Sequence, residues 1–321
     1  MYNTYEDFKG GTDMTVTEYT GRELILPANT ELALGFFDGV HIGHRDIIKG
    51  VVKSAKETGR IPAVFSFHSL SEGLKTGAKR IYSDHSKTEI FESLGIELVV
   101  LADFDSVKGL SPEEFVTRVL LCDLKCKVAH FGFDFRFGKN AAGDAEMLSR
   151  LMREGGAETA VYEERQRNGV KLSSTAVREA LSEGRVKDAA EMLGEAYFVC
   201  GKVEKGLGKG RTWGIPTVNI PLPRDCALKG GVYLTGVVAD NFTGYAITNV
   251  GSCPTVEERD THLEGFILDF NRDLYGKKIK MSFLYFLREE RLFKDTDELA
   301  TQIRSDEKRA REIIRAMENE K

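Results

Sequence analysis

The sequence predicts two domains: an α/β domain built on a parallel sheet, then an antiparallel sheet or small barrel ending in a helix. Three observations carry that reading. The length of 321 residues suits two domains at roughly 100–200 residues each. The first half alternates helical stripes with short strands apolar on both faces, the pattern of a helix-covered parallel sheet. From Tyr197 onward, alternating segments are separated by Gly, Asn and Asp, which suits antiparallel strands.

Each element follows in order. Glu31-Leu-Ala-Leu-Gly35 is a short apolar strand closed by Asp38-Gly39. From His41 to about Thr58, Ile42, Ile47, Ile48, Val51, Val52 and Ala55 recur at helical spacing. Ile61 to Phe67 is the next strand, with Ala63, Phe65 and Phe67 alternating; a helix near Lys87–Leu94 and a strand at Leu98–Ala102 follow. Ser111-Pro-Glu-Glu114 opens a helix with an N-cap serine, a proline at the first position and a capping-box Glu. Val128 to Gly132 is a further strand. Val177, Ala180, Leu181 and then Val186, Ala189, Ala190, Leu193 mark two short helices. The expected strands beyond them are Val199–Val203, Val232–Val238, Tyr245–Asn249, Gly265–Phe270 and Ile279–Leu287. A last helix runs from about Asp295 to Met317, with Leu299, Ile303, Ala310, Ile313 and Met317 on one face. The domain boundary is expected near Gly184–Tyr197, giving domains 1–185 and 186–321 joined by a helical linker.

Composition narrows the function classes. Hydrophobic residues at 41% and charged residues at 30% supply packed cores and exclude a disordered chain. With 32 Gly against 7 Pro, the chain favours turns and close backbone–ligand approach. A net charge of −5 offers no broad basic face to nucleic acid. The 5 cysteines are scattered and form no zinc set; they read as thiols in a reducing compartment. No apolar run approaches the ~20 residues of a membrane span. Met1 to Asp13 is polar and acidic and reads as a frayed leader rather than a signal peptide, so a cytoplasmic protein is expected.

Four constellations carry chemistry. The first is Gly35-Phe-Phe37-Asp38-Gly39-Val-His41-Ile-Gly43-His44, where a strand gives way to a helix. A helix N-terminus offers unpaired N–H groups and partial positive charge, which suits a phosphate chain, and Gly43 lets a ligand approach the backbone. Capping histidines or a metal site are the alternatives. The second is Ser173-Ser174-Thr175-Ala-Val-Arg178, where hydroxyls ahead of a helix are either ordinary caps or partners of an Arg fork around a terminal phosphate. The third, Phe131-Gly-Phe-Asp134-Phe-Arg136-Phe-Gly138, is a plain edge strand or a strand end whose polar residues face a nucleotide or aromatic substrate. The fourth spans Gly206, Gly208, Lys209, Gly210 and Arg211, then Pro216-Thr217-Val-Asn219. β-type sequence follows the glycines, so they are no Rossmann loop. They read as a phosphate flap over a barrel rim, or as a turn-rich hairpin. Thr217 and Asn219 share one side of an extended segment and offer oxygen ligands to a hard cation such as Mg²⁺.

The early histidine pair and the late Ser-Ser-Thr-x-x-Arg resemble the signature of the HIGH-type nucleotidyltransferases, which form no covalent enzyme intermediate. From about Thr15 to Arg315 the chain resembles the bacterial bifunctional riboflavin kinase/FMN adenylyltransferase (FAD synthetase) family. The second half adds Gly231-Val-Tyr233, Asn249-Val-Gly251 with Pro254-Thr255, Asp269-Phe270 and Asp273-Leu-Tyr-Gly276. The resemblance implies a Rossmann-like nucleotidyltransferase domain and a flavokinase β-barrel with a C-terminal helix. It implies ATP as co-substrate and Mg²⁺, with riboflavin converted to FMN and ADP, then FMN to FAD and pyrophosphate. It further implies that His41, His44 and Arg178 act in adenylyl transfer, that Thr217 and Asn219 bind Mg²⁺–ATP, and that Glu264 activates the riboflavin 5′-hydroxyl. Alternation puts Glu264 on a face with Phe266 and Leu268, so its carboxylate is expected partly inside an apolar barrel mouth. Two departures stand out. The family's Phe-x-Pro-His-Pro reads Phe65-Ser-Phe-His68-Ser69 here, implying a looser or reshaped flavin-side loop, and a family histidine two residues after the base is Phe266. A riboflavin kinase with an impaired adenylyltransferase domain, or a flavin-binding regulatory protein, are the competing readings.

Overall fold

The structure is a computed structural model that describes residues 14–22, 24, 26–69, 78–167, 170–204, 217–223, 225–239, 242–252, 261–270 and 272–319. The flap residues Gly206, Gly208, Lys209, Gly210 and Arg211, Pro254-Thr255 and the leader Met1–Asp13 lie outside the described residues. The chain forms two compact units. The first comprises Met1–Ala78 and Tyr82–Ser174, the second Lys79–Ile81 and Thr175–Lys321.

In the first unit, β1 (Thr15–Tyr19), β2 (Thr30–Leu34), β3 (Ile61–Phe67), β4 (Leu98–Ala102), β5 (Cys126–Gly132) and β6 (Glu158–Tyr162) form one sheet. Its order is β1-β4-β3-β2-β5-β6 and every pairing is parallel. Chain order reverses across β2, because β3 lies on one side of it and β5 on the other. Such a switch point opens a crevice at the carboxyl ends of the strands. Helix α1 (Ile42–Thr58) buries Ile47, Ile48, Val51 and Ala55 against one sheet face. The helices α2 (Asp84–Ser93), α3 (Phe104–Val107), α4 (Pro112–Glu114) and α5 (Ala145–Glu154) follow, and α4 continues as a π-helical stretch, Phe115–Asp123. Phe115, Val119, Leu120, Leu148 and Met152 pack with Leu32, Leu34, Phe65 and Val100 in a single core.

Local signals explain most of these boundaries. The Ser111–Glu114 capping box is present in both directions. Helix α2 starts at Asp84, earlier than the expected Lys87, because the Ser83 hydroxyl caps it by accepting the Ser86 N–H at 3.2 Å. β1, α5, β6 and the short hairpin of β7 (Gln166–Arg167) and β8 (Val170–Lys171) are additions to the elements read from sequence.

The second unit begins with α6 (Ser174–Ser182, whose first residue belongs to the first unit) and α7 (Val186–Leu193). They belong with the barrel because the Lys229 N–H donates to Leu181 O at 3.0 Å and α7 packs on the last strand. The compact division therefore falls at Ser174/Thr175, ahead of the boundary expected near residue 185. Strands β9 (Phe198–Lys202), β10 (Thr217–Leu222), β11 (Gly231–Ala239), β12 (Phe242–Ser252), β13 (Thr261–Ile267) and β14 (Lys278–Arg288) form an antiparallel sheet. Its order is β10-β13-β12-β11-β14-β9. A bridge between Glu204, just past β9, and Asn219 on β10 brings the two edges together into a barrel. The strand expected at Gly265–Phe270 is corrected to Thr261–Ile267: Asp269 takes φ 57 and turns the chain. Helix α8 (Thr296–Asn319) lies on the outside, with Ala310, Ile313 and Ile314 against Val232, Leu234, Ile247 and Leu287. Arg288 holds Asp306, and Arg311 holds Asp269 through both carboxylate oxygens.

Candidate active sites

The β2–α1 connection sits at the switch point. Phe37 and Val40 take φ of 50 and 41, and Gly39 takes 157, so the chain turns sharply before α1. His41 is the N-cap residue of α1, yet its side chain makes no capping bond. Its ring instead stacks on His44 at 3.7 Å with an interplanar angle of 18°. Phe37 is buried; its ring meets His44 edge-on at 5.2 Å, so that side chain props His44 from behind. Gly43 faces the His41 ring, and a Cβ there would lie 3.3 Å from His41 Cε1. The first turn of α1 holds no acidic residue, which keeps its N-terminus receptive to an anion.

The structure brings Phe37, Asp38, Gly39, His41, Gly43 and His44 together at the carboxyl end of β2, and Asp134 and Arg136 at the carboxyl end of the neighbouring β5. Beyond Gly132 the segment leaves the strand; Phe135 and Phe137 turn into the core while Arg136 pairs with Asp144 at 3.7 Å. Asp144 also caps α5 by accepting the Met147 N–H at 2.9 Å. Ser173 and Ser174 close the first unit, whereas Thr175 and Arg178 on α6 belong to the second. Among the described residues no group of three or more His, Cys, Asp or Glu is placed to hold a metal ion.

A cluster beyond the sequence reading stands at the carboxyl end of β3. Asp84, in the first turn of α2, meets His68 Nδ1 through Oδ2 and Lys87 Nζ through Oδ1, each at 3.2 Å, and accepts the Ser69 N–H at 2.9 Å. Lys87 is fully buried and also donates to Phe67 O at 3.1 Å. Burial alone would raise the Asp84 carboxyl, but bonds from His68, Lys87 and Ser69 hold it well below the usual carboxylate range. The bond to Asp84 raises His68 against the opposing pull of burial. The signal in the sequence was a charged pair at i, i+3 behind a capping serine. An exposed helix start has the same pattern, and only the fold shows Lys87 buried.

In the barrel, Asn219 on β10 pairs with Glu264 on β13, and Thr217 pairs with Phe266. The Thr217 hydroxyl donates to Glu264 Oε1 at 3.0 Å. Val218, Ile220, Leu263 and Ile267 point into the barrel, so their neighbours Thr217, Asn219 and Glu264 line its outer flank. Glu264 is exposed there, which corrects the expectation of an apolar barrel mouth: strand alternation gives the interior to Leu263 and Ile267.

Each half of the chain matches a known family. Residues 26–176 match the family model described as FAD synthetase, and residues 193–314 match that described as riboflavin kinase. Fold and sites together define a nucleotidyltransferase domain joined to a flavokinase domain. The bifunctional riboflavin kinase/FMN adenylyltransferase of Escherichia coli (strain K12) is 33% identical over 288 residues, covering 88% of this chain and 92% of that protein. The Bacillus subtilis (strain 168) protein of the same name is 32% identical over 292 residues, with 88% and 92% covered. A solved structure titled as a macrolide-efflux protein from Streptococcus pneumoniae matches at TM-score 0.79 and 27% identity, over 92% of this chain and 98% of that one. No helix among the described residues is long and apolar enough to cross a membrane. The chain belongs to the bifunctional riboflavin kinase/FMN adenylyltransferase family.

Proposed function

We propose that this chain phosphorylates riboflavin to FMN on its barrel and adenylylates FMN to FAD on its parallel-sheet unit, consuming one ATP at each step. The observation that carries the kinase half is the Thr217–Glu264 bond beside Asn219. Glu264 takes the proton of the riboflavin 5′-hydroxyl as that oxygen bonds the γ-phosphorus of ATP and ADP leaves. Thr217 orients the carboxylate. Thr217 Oγ1 and the Asn219 amide oxygen, on one face with a carboxylate, are an all-oxygen donor set that suits Mg²⁺. When bound, Mg²⁺ supplies charge neutralisation at the phosphates. The flap residues Gly206, Gly208, Lys209, Gly210 and Arg211 are proposed to cover the nucleotide.

In the adenylyltransferase half, an FMN phosphate oxygen attacks the α-phosphorus of ATP, and the bond to pyrophosphate breaks. His41, His44 and the α1 N-terminus support the charge that moves onto pyrophosphate, with Arg178 as a further cation; catalysis is alignment and charge stabilisation. Asp134, Arg136, Ser173, Ser174 and Thr175 complete the nucleotide contacts in this reading. Cytoplasmic operation is supported by the scattered cysteines, whose spacing forms no zinc set and reads as thiols in a reducing compartment. The test is direct: purified protein with riboflavin, ATP and Mg²⁺, resolved by chromatography, should accumulate FMN and then FAD. Riboflavin left unchanged would refute the kinase, and FMN without FAD would refute the adenylyltransferase.

A further inference from the structure

The flank of the barrel that holds Glu264 continues past it. Glu264 is paired across the ladder with two asparagines, Asn219 on β10 and Asn249 on β12. Directly opposed residues share a face and stand within side-chain reach, so Glu264 is bracketed by two amides. Asn219 has a role in the proposal above; Asn249 has none. Its side chain is fixed: Nδ2 donates to Glu290 Oε1 at 3.1 Å. The Glu290 carboxylate lies over Gly251, where a Cβ would fall 2.0 Å from Oε1, and Gly230, where a Cβ would fall 3.6 Å from Oε2. The glycine of Asn249-Val-Gly251 therefore makes room for a carboxylate that sets the orientation of the asparagine two residues before it.

An amide held in this way has its free hydrogen and Oδ1 in a defined direction beside Glu264. That is a donor and an acceptor within reach of the hydroxyl whose proton Glu264 takes. A flavin alcohol carries a polyol chain, and each of its hydroxyls needs both a donor and an acceptor. We infer that Asn249, oriented by Glu290, binds the polyol chain of the flavin substrate and sets its terminal hydroxyl against Glu264. Asn249 touches substrate, while Glu290 is a positioning residue that acts through Asn249. This rests on the kinase reading above, and binding measurements separate the two.

The experiment uses the full chain and two probes, riboflavin and lumiflavin, the latter the same ring with a methyl in place of the polyol. Dissociation constants are read from flavin fluorescence, and kinase KM and kcat from FMN formation. Asn249→Ala should weaken riboflavin about fivefold, in line with one lost hydrogen bond, and leave lumiflavin within twofold. Riboflavin KM should rise by a similar factor while the KM for ATP stays within twofold. Glu290→Ala should reproduce the effect, and the double variant should be no worse than the larger single, because the two act as one unit. Glu290→Gln, which keeps an oxygen for the Asn249 amide, should hold riboflavin affinity within twofold, and Glu290→Ala carries the test if Asn249→Ala does not fold. Equal weakening of both probes, additive losses, or riboflavin affinity unchanged in both singles would overturn the inference. If the unmodified chain makes no FMN, the kinase reading falls, while the ratio of the two affinities still decides the polyol contact.

Discussion

Asp84 Oδ2 and His68 Nδ1 stand 3.2 Å apart, tying the first turn of α2 to the residue that follows β3. The same carboxylate holds the buried Lys87, so His68 and Lys87 share one anchor at the carboxyl end of β3.

Asp84→Asn should therefore destabilise the first unit by about 3 kcal/mol, because it leaves Lys87 buried without its carboxylate. The unmodified chain should also show a pH signature. His68 is raised above its ordinary 6.5, so its contribution is full below that value and is lost as pH rises through the folded value. Asp84 is lowered from 3.8, so its contribution holds above that value and is lost as pH falls through the folded one. Urea unfolding from pH 8 down to about pH 1.5 checks this; a variant as stable as the parent at about pH 5.5 would contradict it.

Under α1, the buried Glu31 carboxylate accepts from Thr58 at 2.7 Å and Arg60 at 3.0 Å and meets His130 Nε2 at 3.4 Å. Burial lowers His130, against the opposing pull of Glu31, and its Nδ1 stands 3.1 Å from the Tyr162 hydroxyl oxygen. A Cβ on Gly50 would lie 1.7 Å from that hydroxyl oxygen. Gly50→Ala should cost about 1–3 kcal/mol despite the better helix propensity of alanine. Thermal unfolding measures it, and a stabilised variant would show that Tyr162 swings aside freely.

His44→Ala should remove one charge-stabilising donor from adenylyl transfer, lowering FAD formation from supplied FMN by roughly 10²–10³. FMN formation from riboflavin should persist. The assay is chromatography of both products from one reaction, and undiminished FAD would exclude His44 from the step.

Glu264→Gln keeps an oxygen for the Thr217 hydroxyl but cannot take a proton at neutral pH. The kcat for riboflavin phosphorylation should fall by roughly 10²–10⁴, with riboflavin affinity little changed. A fall below about tenfold would require another base.

Truncation should follow the compact units rather than the composition shift. A fragment beginning at Thr175 keeps α6 and α7, whose Val177, Leu181, Val186 and Leu193 are buried. A fragment beginning at Glu195 loses them. The longer fragment should phosphorylate riboflavin and melt higher, and equal melting temperatures would refute the assignment of these helices.

Elements with strong local signals were legible in the sequence. β3 and β4 run over Ile61–Phe67 and Leu98–Ala102, as their apolar runs suggested, and Ser111 capped its helix with Glu114. β1 escaped because Thr15–Tyr19 has Val16 and Tyr19 as its only apolar residues, and Tyr19 is the one residue of that strand that is buried. α5 carried a legible stripe, Leu148, Leu151 and Met152, behind the capping Asp144, but the aromatic run before it drew the reading toward a strand. The site residues separate along the same line. His41 and His44 were placed by the strand–turn–helix pattern alone. The bond between Thr217 and Glu264 spans 47 residues and depends on a ladder register that no local pattern encodes. The exposure of Glu264 follows from which strand face the interior claims, and Leu263 and Ile267 decide that only once the barrel closes.

On the ribosome, Arg80 emerges 145 residues before Asp225, the partner of its guanidinium, and before Ala227, whose N–H it accepts at 2.8 Å. At roughly 5–20 residues per second the wait is on the order of 7–30 s. Throughout that interval Lys79–Ile81 is a short backbone edge without its mate, flanked on both sides by chain that belongs to the earlier-made unit. The nascent chain thus presents a segment whose partner, the Asp225–Ala227 stretch between β10 and β11, is not yet translated. Its capture of Asp225 is a late event, and a translational pause between residues 82 and 225 would prolong access of chaperones and proteases to that edge.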